Sequence, residues 1–294
     1  DLMATVIRYI NTNSAAGGTG VNDSTVGENR AYSSMSEWEA AEQTDLVTDG
    51  DIHIVNCDGE GGNDSTSDGV GVSGWTTGAS NTLTIQQNAS GTNYKLTASA
   101  DSVLRPAEDY VTIDGIECET TNSGSEVINL AFGFYTSADN NVIIKNCILH
   151  GNDTSSSQYA IGASVFNLVI DVFNCAVWSG TRSTDTRNAT TANISYSTFF
   201  RHADQLGLIC SKEATVKNTY SGKASGSQED FWTGGDSPSG SNNASSDTSA
   251  STDYTKTVTS AAPGDQFTNI TSGSEDFSLK SGAGLDGAGT TIAG

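Results

Sequence analysis

The amino-acid sequence predicts an all-β fold in which short strands stack in successive coils to form a solenoid. An apolar phrase recurs with variations from residue 110 to about residue 221, and its clearest copy spans residues 142–149. The copies align at five β-branched positions: Ile113, Ile144, Val172, Ile194 and Val216. Their spacing lies in the range of roughly 20 to 50 residues that is typical of stacked repeats, and β-branched phrases favour strands.

The composition indicates a thin, regular core with many turns. Hydrophobic residues make up 35% of the 294 residues, which is below the about 45–50% of ordinary globular domains. The chain has only three prolines, so the ladders of strand hydrogen bonds are rarely interrupted. Because repeat folds grow by adding coils, we predict one continuous, elongated domain.

The N-terminal segment, residues 1–50, is predicted to be a cap. A strand at residues 4–12 is followed by a loop rich in Gly, Ser and Asn, and then by a helix at residues 34–43. Ser34 and Glu37 have the spacing of a capping box. The apolar end of a stack of coils needs such an atypical terminal unit as a lid.

Residues 51–225 are predicted to form the coils, with side chains that alternate between the core and the surface. In the first of these strands, Ile52 and Ile54 are expected to point inward and His53 outward. Farther along, one outward column is predicted to contain Asp114, Lys145, Phe173, Ser195 and Lys217. Oppositely charged neighbours in this column can pair across adjacent coils, although surface pairs stabilise a fold little.

Residues 226–294 are predicted to form loop-rich last coils and a C-terminal closure. Residues 226–253 are almost entirely Ser, Gly, Asn and Asp, which indicates either a long loop or a degenerate last coil. Residues 266–269 and 276–282 are predicted to contain short strands that close the C-terminal end of the stack.

The charge of the chain limits its partners. It has 35 acidic and 13 basic residues, for a formal net charge of −22. Such a field repels nucleic acid and anionic membrane surfaces, so neither is a predicted partner. No run approaches the roughly 18 apolar residues that cross a bilayer. The start of the chain lacks a basic and apolar signal segment, so we expect a protein made without a secretory signal or one that has lost it.

The cysteines are predicted to be free thiols in the core. They are Cys57, Cys118, Cys147, Cys175 and Cys210. An odd number without close pairs argues against a disulfide framework and against a zinc site. Most of them lie inside strand phrases, where a free thiol behaves as a small hydrophobe.

A glycine-rich loop that begins after the first coil strand carries four carboxylates. They are Asp58, Glu60, Asp64 and Asp68. Calcium prefers about six to eight oxygen ligands, but the spacing matches neither an EF-hand nor the nonapeptide calcium repeat. We predict a solvated loop and no cofactor, and calcium held by these carboxylates is the alternative.

Three segments resemble a known group of β-helices. Residues 32–41 precede the first coil strand, residues 110–116 read YVTIDGI, and residues 276–289 read DFSLKSGAGLDGAG. They resemble the N-terminal cap, the coil consensus and the closing motif of right-handed parallel β-helix proteins of the pectate-lyase-like superfamily. Ala283 and Gly284 stand where the family's closing motif has Ser-Pro.

This resemblance covers nearly the whole chain and implies a right-handed, single-stranded parallel β-helix with an N-terminal capping strand and helix. Proteins of this kind occur as bacteriophage virion proteins, as environmental bacterial surface proteins and as polysaccharide enzymes. The fold therefore does not decide the function.

An enzyme would need particular charged groups. For a lyase, the resemblance implies an Arg or Lys base beside acidic groups that bind calcium on one outward face, and the outward column offers a single Asp. A hydrolase would need two carboxylates that flank the scissile bond, whereas most Asp residues here lie in turns, where they bond locally. We predict no catalytic residues; for an enzyme, the candidates are Asp171, Arg201 and His202.

Aromatic residues near strand ends are the candidates for binding. Trp178, Tyr196 and Trp232 place flat rings beside polar groups, and such rings can stack on sugar rings. The alternative is that these rings pack beneath loops.

The leading hypothesis is a non-enzymatic structural protein of a bacteriophage virion, serving as a fibre, spike or capsid decoration with glycan contact. It is expected to assemble in the host cytoplasm, where cysteines stay reduced. A homotrimer, other virion proteins and a polysaccharide are the partners that it allows. The alternatives are a polysaccharide lyase or glycoside hydrolase that acts on an extracellular polysaccharide, and a bacterial surface adhesin located outside the cell or on its surface.

Overall fold

The chain begins with one strand and two helices and then enters a run of short strands. The computed structural model describes residues 3–130, 140–152, 159–163, 167–179, 182–202, 206–210, 213–232, 239–249, 256–258, 261–271 and 276–285. The first elements are β1 (Ala4–Asn11), α1 (Met35–Glu42) and α2 (Leu46–Asp49).

The run of strands fills most of the remaining chain. In chain order the strands are β2 (Asp51–Asp58), β3 (Asp64–Thr66), β4 (Val70–Val72), β5 (Leu83–Gln87), β6 (Lys95–Ala98), β7 (Leu104–Pro106), β8 (Val111–Asp114), β9 (Glu117–Thr120), β10 (Ile128–Asn129), β11 (Asn140–Lys145), β12 (Ile148–His150), β13 (Tyr159–Gly162), β14 (Leu168–Phe173), β15 (Ala176–Ser179), β16 (Arg182–Asp185), β17 (Thr191–Ser195), β18 (Thr198–Arg201), β19 (Leu208–Ile209), β20 (Ala214–Lys217), β21 (Tyr220–Lys223), β22 (Phe231–Trp232), β23 (Ser239–Ser241), β24 (Asn243–Ser245) and β25 (Lys256–Val258). The chain ends with α3 (Pro263–Gln266), β26 (Phe267–Asn269) and β27 (Asp276–Leu279).

From β2 to β24, strands three apart in sequence pair side by side, which makes the coils, and β1 and β25 each pair with the strand next to them in sequence. The first sheet has nine strands in the order β1-β2-β5-β8-β11-β14-β17-β20-β23. The second sheet has nine strands in the order β3-β6-β9-β12-β15-β18-β21-β24-β25, and the third has seven in the order β4-β7-β10-β13-β16-β19-β22. All pairings within these sheets are parallel, for example β8 with β5 and with β11. The predicted all-β, parallel β-helix fold is thereby confirmed.

The repeated apolar phrase stacks in register as a core column. Ile113 pairs with Ile144, Ile144 with Val172, Val172 with Ile194, and Ile194 with Val216. All five are buried. Because successive strand residues face opposite sides of a sheet, their neighbours point outward, as predicted.

The outward column forms as expected across adjacent coils. Lys145 lies between Asp114 and Phe173, and its Nζ is 3.2 Å from Asp114 Oδ2. Both side chains are partly exposed to water, so this ion pair contributes little to stability.

A column of left-handed residues turns the chain out of the first sheet. Its members are Gly115, Asn146, Asn174, Tyr196, Asn218 and Asn242, each with a φ between 49° and 74°. Gly and Asn adopt this conformation at low cost. The amides also stack: Asn174 Nδ2 donates to Asn146 Oδ1 at 2.9 Å, and Asn146 Nδ2 donates to Asp114 Oδ1 at 2.7 Å. Tyr196 is the one aromatic residue in this column.

The N-terminal helix forms where the capping-box spacing predicts it. Ser34 Oγ accepts a hydrogen bond from the backbone N–H of Glu37 at 3.1 Å. The Glu37 carboxylate reaches back to the backbone N–H of Ser33 at 2.7 Å, so its bond falls one residue before the N-cap. Met35 and Trp38 on this helix are fully buried in the main core.

The first coil strand has the opposite phase from the one predicted. His53, Val55 and Cys57 are buried, whereas Ile52 and Ile54 are only partly covered. His53 pairs with Leu83 in the core column. A histidine is accommodated there because its Nε2 accepts a hydrogen bond from Trp38 Nε1 at 3.2 Å.

The serine-rich C-terminal region contributes a last coil. The described part of residues 226–253 contains β22, β23 and β24, which continue the three sheets. Of the two alternatives for this stretch, the degenerate coil is therefore the observed one.

The predicted C-terminal strands form an antiparallel hairpin of β26 and β27. Its Phe277 packs on Trp178 and Phe200, which project from the outer side of the second sheet. The described part of the hairpin thus lies against the flank of the stack. The sequence had predicted that these strands close its C-terminal end.

The cysteines are all free and buried, as predicted. Within the described part of the chain, no helix is long and apolar enough to cross a membrane.

Candidate functional site

The outer face of the second sheet carries a row of rings. Trp178 pairs in register with His150 on one side and with Phe200 on the other. The rings of His150 and Trp178 stack with centroids 4.9 Å apart. Leu149, Val177 and Phe199 fill the inward positions of the same strands, so alternation places these rings outside the core.

The C-terminal hairpin covers part of this aromatic row. The Phe277 ring lies 5.2 Å from the Trp178 ring and 5.6 Å from the Phe200 ring. Phe267 packs edge-on against Tyr220 at 5.0 Å. These contacts hold the hairpin to the flank of the stack and leave a groove along its edge.

The groove lies between β27, the ends of β12 and β15, and the column of left-handed residues. Its principal lining residues are Asn146, Asn174, Trp178, Tyr196, Asp276 and Phe277. Its volume of about 410 Å³ lies within the about 300–1,000 Å³ of small-molecule sites. The walls therefore combine aromatic rings with amides and one carboxylate.

Tyr196 forms the boundary between this groove and a second cleft. The second cleft has a volume of about 220 Å³ and is lined by Tyr196, Asn218, Asn242 and the hairpin residues Phe277 and Leu279. The Tyr196 side chain is 36% exposed. The ring of Phe173 meets it edge-on, with centroids 5.4 Å apart.

The groove carries negative charge. The hydroxyl of Ser278 and its backbone N–H, which donates to Asp276 Oδ1 at 2.9 Å, lower the pKa of Asp276 below its usual range. This carboxylate is therefore ionised at neutral pH. No Lys or Arg is among the described residues that line the groove.

Arg201, a candidate catalytic residue, is buried in an ion-pair network. Its Nη2 is 3.0 Å from Asp230 Oδ1, and both side chains are 0% exposed. Lys223 Nζ joins Asp230 to Asp247, at 3.1 and 2.8 Å. Lys223 and the hydroxyl of Ser249 lower the pKa of Asp247 despite its partial burial. The network ties the last coils together and does not line the groove.

The other two catalytic candidates lie elsewhere. Asp171 is on the outer face of the first sheet, where it accepts a hydrogen bond from Asn193 Nδ2 at 2.7 Å. His202 follows β18, and its ring packs edge-on against Phe200 at 5.0 Å. The groove is lined by neither of them.

Two of the three predicted sugar-binding residues share the groove, and the third does not. Trp178 and Tyr196 both line it. Trp232 lies in the third sheet, where the guanidinium of Arg187 sits 5.5 Å from its ring centroid. Arg187 also pairs with Asp185 at 2.6 Å.

The four calcium candidates make protein hydrogen bonds. Asp58 Oδ1 accepts from the backbone N–H groups of Glu60 and Thr92, at 3.0 and 2.9 Å. Glu60 accepts from Asn11, and the backbone oxygen of Asp68 accepts from Arg105. Among the described residues, no group of three or more His, Cys, Asp or Glu is arranged to hold a metal ion.

Asp64 is buried, as Asp58 is, and each lies at the end of a strand, so the predicted solvated loop is wrong for these two residues. Asp64 Oδ2 accepts from the backbone N–H of Met35 at 2.7 Å and from the hydroxyl of Tyr94. Burial raises the pKa of Asp64, and these two hydrogen bonds oppose the shift. Asp64 thus connects the first helix to the coils.

Sequence reasoning missed Asp276, Asn146 and Asn174 as parts of the site. The two asparagines occupy the turn position after each repeated phrase, so their recurrence was a visible signal. Asp276 offered no signal, because only the folding back of the hairpin brings it to the groove.

No protein-family model matches the chain, and searches of curated proteins and of solved structures find no match either.

Proposed function

We propose that this protein is a non-enzymatic, structural β-helix that contacts glycans through the groove beside the C-terminal hairpin. The observation that carries the proposal is the presence of Trp178 and Tyr196 in one groove with the amides of Asn146 and Asn174. Aromatic faces stack on the C–H faces of sugar rings, while amides and hydroxyls bond the sugar hydroxyls.

The burial of Arg201 and the single carboxylate in the groove favour binding over catalysis. Arg201 is enclosed with Asp230, so it has no access to a substrate. Glycoside hydrolysis usually needs two carboxylates on either side of the bond, and Asp276 is the one carboxylate among the described lining residues.

We further propose that the protein belongs to a bacteriophage virion, as a fibre, spike or capsid decoration. The resemblance to pectate-lyase-like β-helices and the five reduced cysteines support this setting. A stack of parallel coils is rigid, and most soluble oligomers are homo-oligomers with closed symmetry, so a homotrimer is the assembly that we propose. Measurement of the mass in solution would distinguish a homotrimer from a monomer.

Isothermal titration with a panel of oligosaccharides tests the glycan contact. We expect at least one to bind wild-type protein, and we expect Tyr196→Ala to weaken binding about tenfold or more, the loss of one stacking contact. Trp232→Ala, an aromatic truncation on the third sheet, is the matched control and should leave binding unchanged. Equal loss in both variants would overturn the assignment of the groove.

The same panel tests for turnover. Incubation followed by assays for reducing ends and for unsaturated products should show no product. Product formation that Asp276→Asn abolishes would replace the structural interpretation with an enzymatic one.

A further inference from the structure

The backbone at Tyr196 has a left-handed conformation. Five members of the left-handed column are Gly or Asn, and Tyr196 has a φ of 52° at the same position of the coil. A bulky side chain is strained in this conformation, whereas Gly and Asn tolerate it. Strained positions of this kind concentrate where a side chain has a function.

The ring uses this strained position to face two clefts at once. It lines both the groove and the second cleft, and it remains partly exposed. Phe173 supports its edge at 5.4 Å. A partly exposed ring that lines two clefts can serve as a stacking surface for a ligand, whereas a core residue would be fully buried.

Trp178 is the second aromatic residue of the groove. Trp178 lines the groove and is 8% exposed, and its indole Nε1 makes no hydrogen bond with any residue that the structure describes. A buried N–H without a partner is costly.

The negative charge around the groove favours a neutral ligand over an anionic one. The chain carries a net charge of −22, and Asp276 adds an ionised carboxylate to the groove. The lysines nearest in sequence to the two clefts are Lys145, Lys217 and Lys280. Lys145 and Lys217 lie on the outer face of the first sheet, and Lys280 Nζ donates to the backbone carbonyl of Gly264. A uronate or a sulfated sugar would enter without a cation to meet it, at an electrostatic cost.

We propose that the groove binds a neutral glycan, with the Tyr196 ring as its stacking platform and the Asn146 and Asn174 amides as hydrogen-bonding partners. This inference rests on the proposed glycan contact and adds the ligand class and the residue that is strained to serve it. It predicts that this position has been adapted for binding at the expense of stability.

The substitution Tyr196→Asn restores the residue type of the column and removes the ring. We expect the variant to unfold at a temperature no lower than that of wild type, since the strain is relieved. We also expect the dissociation constant for a neutral oligosaccharide to rise about tenfold or more. Tyr196→Gly, which also suits a positive φ, is the second variant, and Trp232→Ala is the control.

Titration of wild type and variants with neutral and with uronate-containing oligosaccharides of equal length separates the outcomes. Neutral binding that is lost in both Tyr196 variants and kept in the control supports the inference. Uronate binding lost in the same variants would overturn the ligand class while leaving the glycan contact intact. Neutral binding that survives both variants would overturn the platform, and no binding of either polymer would overturn the proposed function itself.

A lower unfolding temperature in both variants would also contradict the inference, because it would make Tyr196 a packing residue.

Discussion

Acid should weaken the attachment of the N-terminal cap through His53. This ring is 1% exposed, lies between Trp38 and Trp75, and accepts the Trp38 indole N–H on Nε2. Protonation of Nε2 would place its N–H donor against the indole N–H donor, with no acceptor between them. The protonated ring is therefore incompatible with the folded arrangement.

Burial lowers the pKa of His53 from 6.5 to about 4; the carboxylate of Glu42 raises it, and Arg8 adds a smaller lowering effect. The unfolded chain binds the proton near the ordinary pKa, so stability is complete above it and is lost as pH falls toward the folded value. The difference corresponds to roughly 3 kcal/mol over the whole window. Between about pH 7 and about pH 4.5, His53 should thus remove about 2 kcal/mol of unfolding free energy.

The assay is urea denaturation of wild type and of His53→Gln across this pH range. Glutamine keeps an acceptor for the Trp38 indole and does not titrate. Carboxylates titrate in both proteins, so the difference in slope isolates the histidine. Wild type should lose about 2 kcal/mol more than the variant. Parallel pH profiles of the two proteins would show that His53 is not held neutral by the fold.

Three further substitutions test the helix cap and the buried network. Ser34→Ala removes the acceptor of the Glu37 N–H and should lower the unfolding free energy by about 1 kcal/mol; an unchanged urea midpoint would show that the cap is dispensable. Arg201→Met leaves Asp230 with one of its cations gone and should cost about 3 kcal/mol, with part of the loss recovered when Asp230→Asn is added; strict additivity would contradict their coupling. Gly207→Ala would place a Cβ 2.2 Å from the Asp230 backbone oxygen and 2.3 Å from Arg201 Nη1, so a melting temperature equal to wild type would contradict the predicted overpacking of about 1–3 kcal/mol.

The repeated phrase predicted the fold because its information is local. Ile113, Ile144 and Val172 occupy the same step of each coil, and the period-two alternation of strands then determines which residues are buried. The first helix was equally accessible, since Ser34 and Glu37 are three residues apart and cap the same turn. Both features depend on neighbours in sequence.

The prediction of which side chains of the first coil strand face the core was wrong, because apolar residues occupy both alternating sets of positions in this short strand. A shift of one residue turns every side chain to the other face. Ile52 and Ile54 are more apolar than His53, so the pattern alone favours them for the core. The histidine is inside because Trp38, from the capping helix, supplies its hydrogen bond.

The groove and the buried network depend on contacts between distant segments. Asp230, which pairs with Arg201, lies in a stretch so rich in serine and glycine that it reads as a loop. Phe277 and Asp276 reach the second sheet only when the hairpin folds back along the stack. Neither arrangement has a periodic signal in the sequence. The sequence could therefore suggest Trp178 and Tyr196 as binding residues, but not that they line the same groove.

The most direct test of the proposed glycan site is a crystal structure of wild-type protein soaked with the neutral oligosaccharide that binds most tightly in the titration panel. We predict density in the groove beside β27, with one sugar ring lying flat on Tyr196 and hydroxyls near the amides of Asn146 and Asn174. Density at another surface, such as Trp232 on the third sheet, or an empty groove at saturating ligand, would contradict the assignment of the groove as a glycan site.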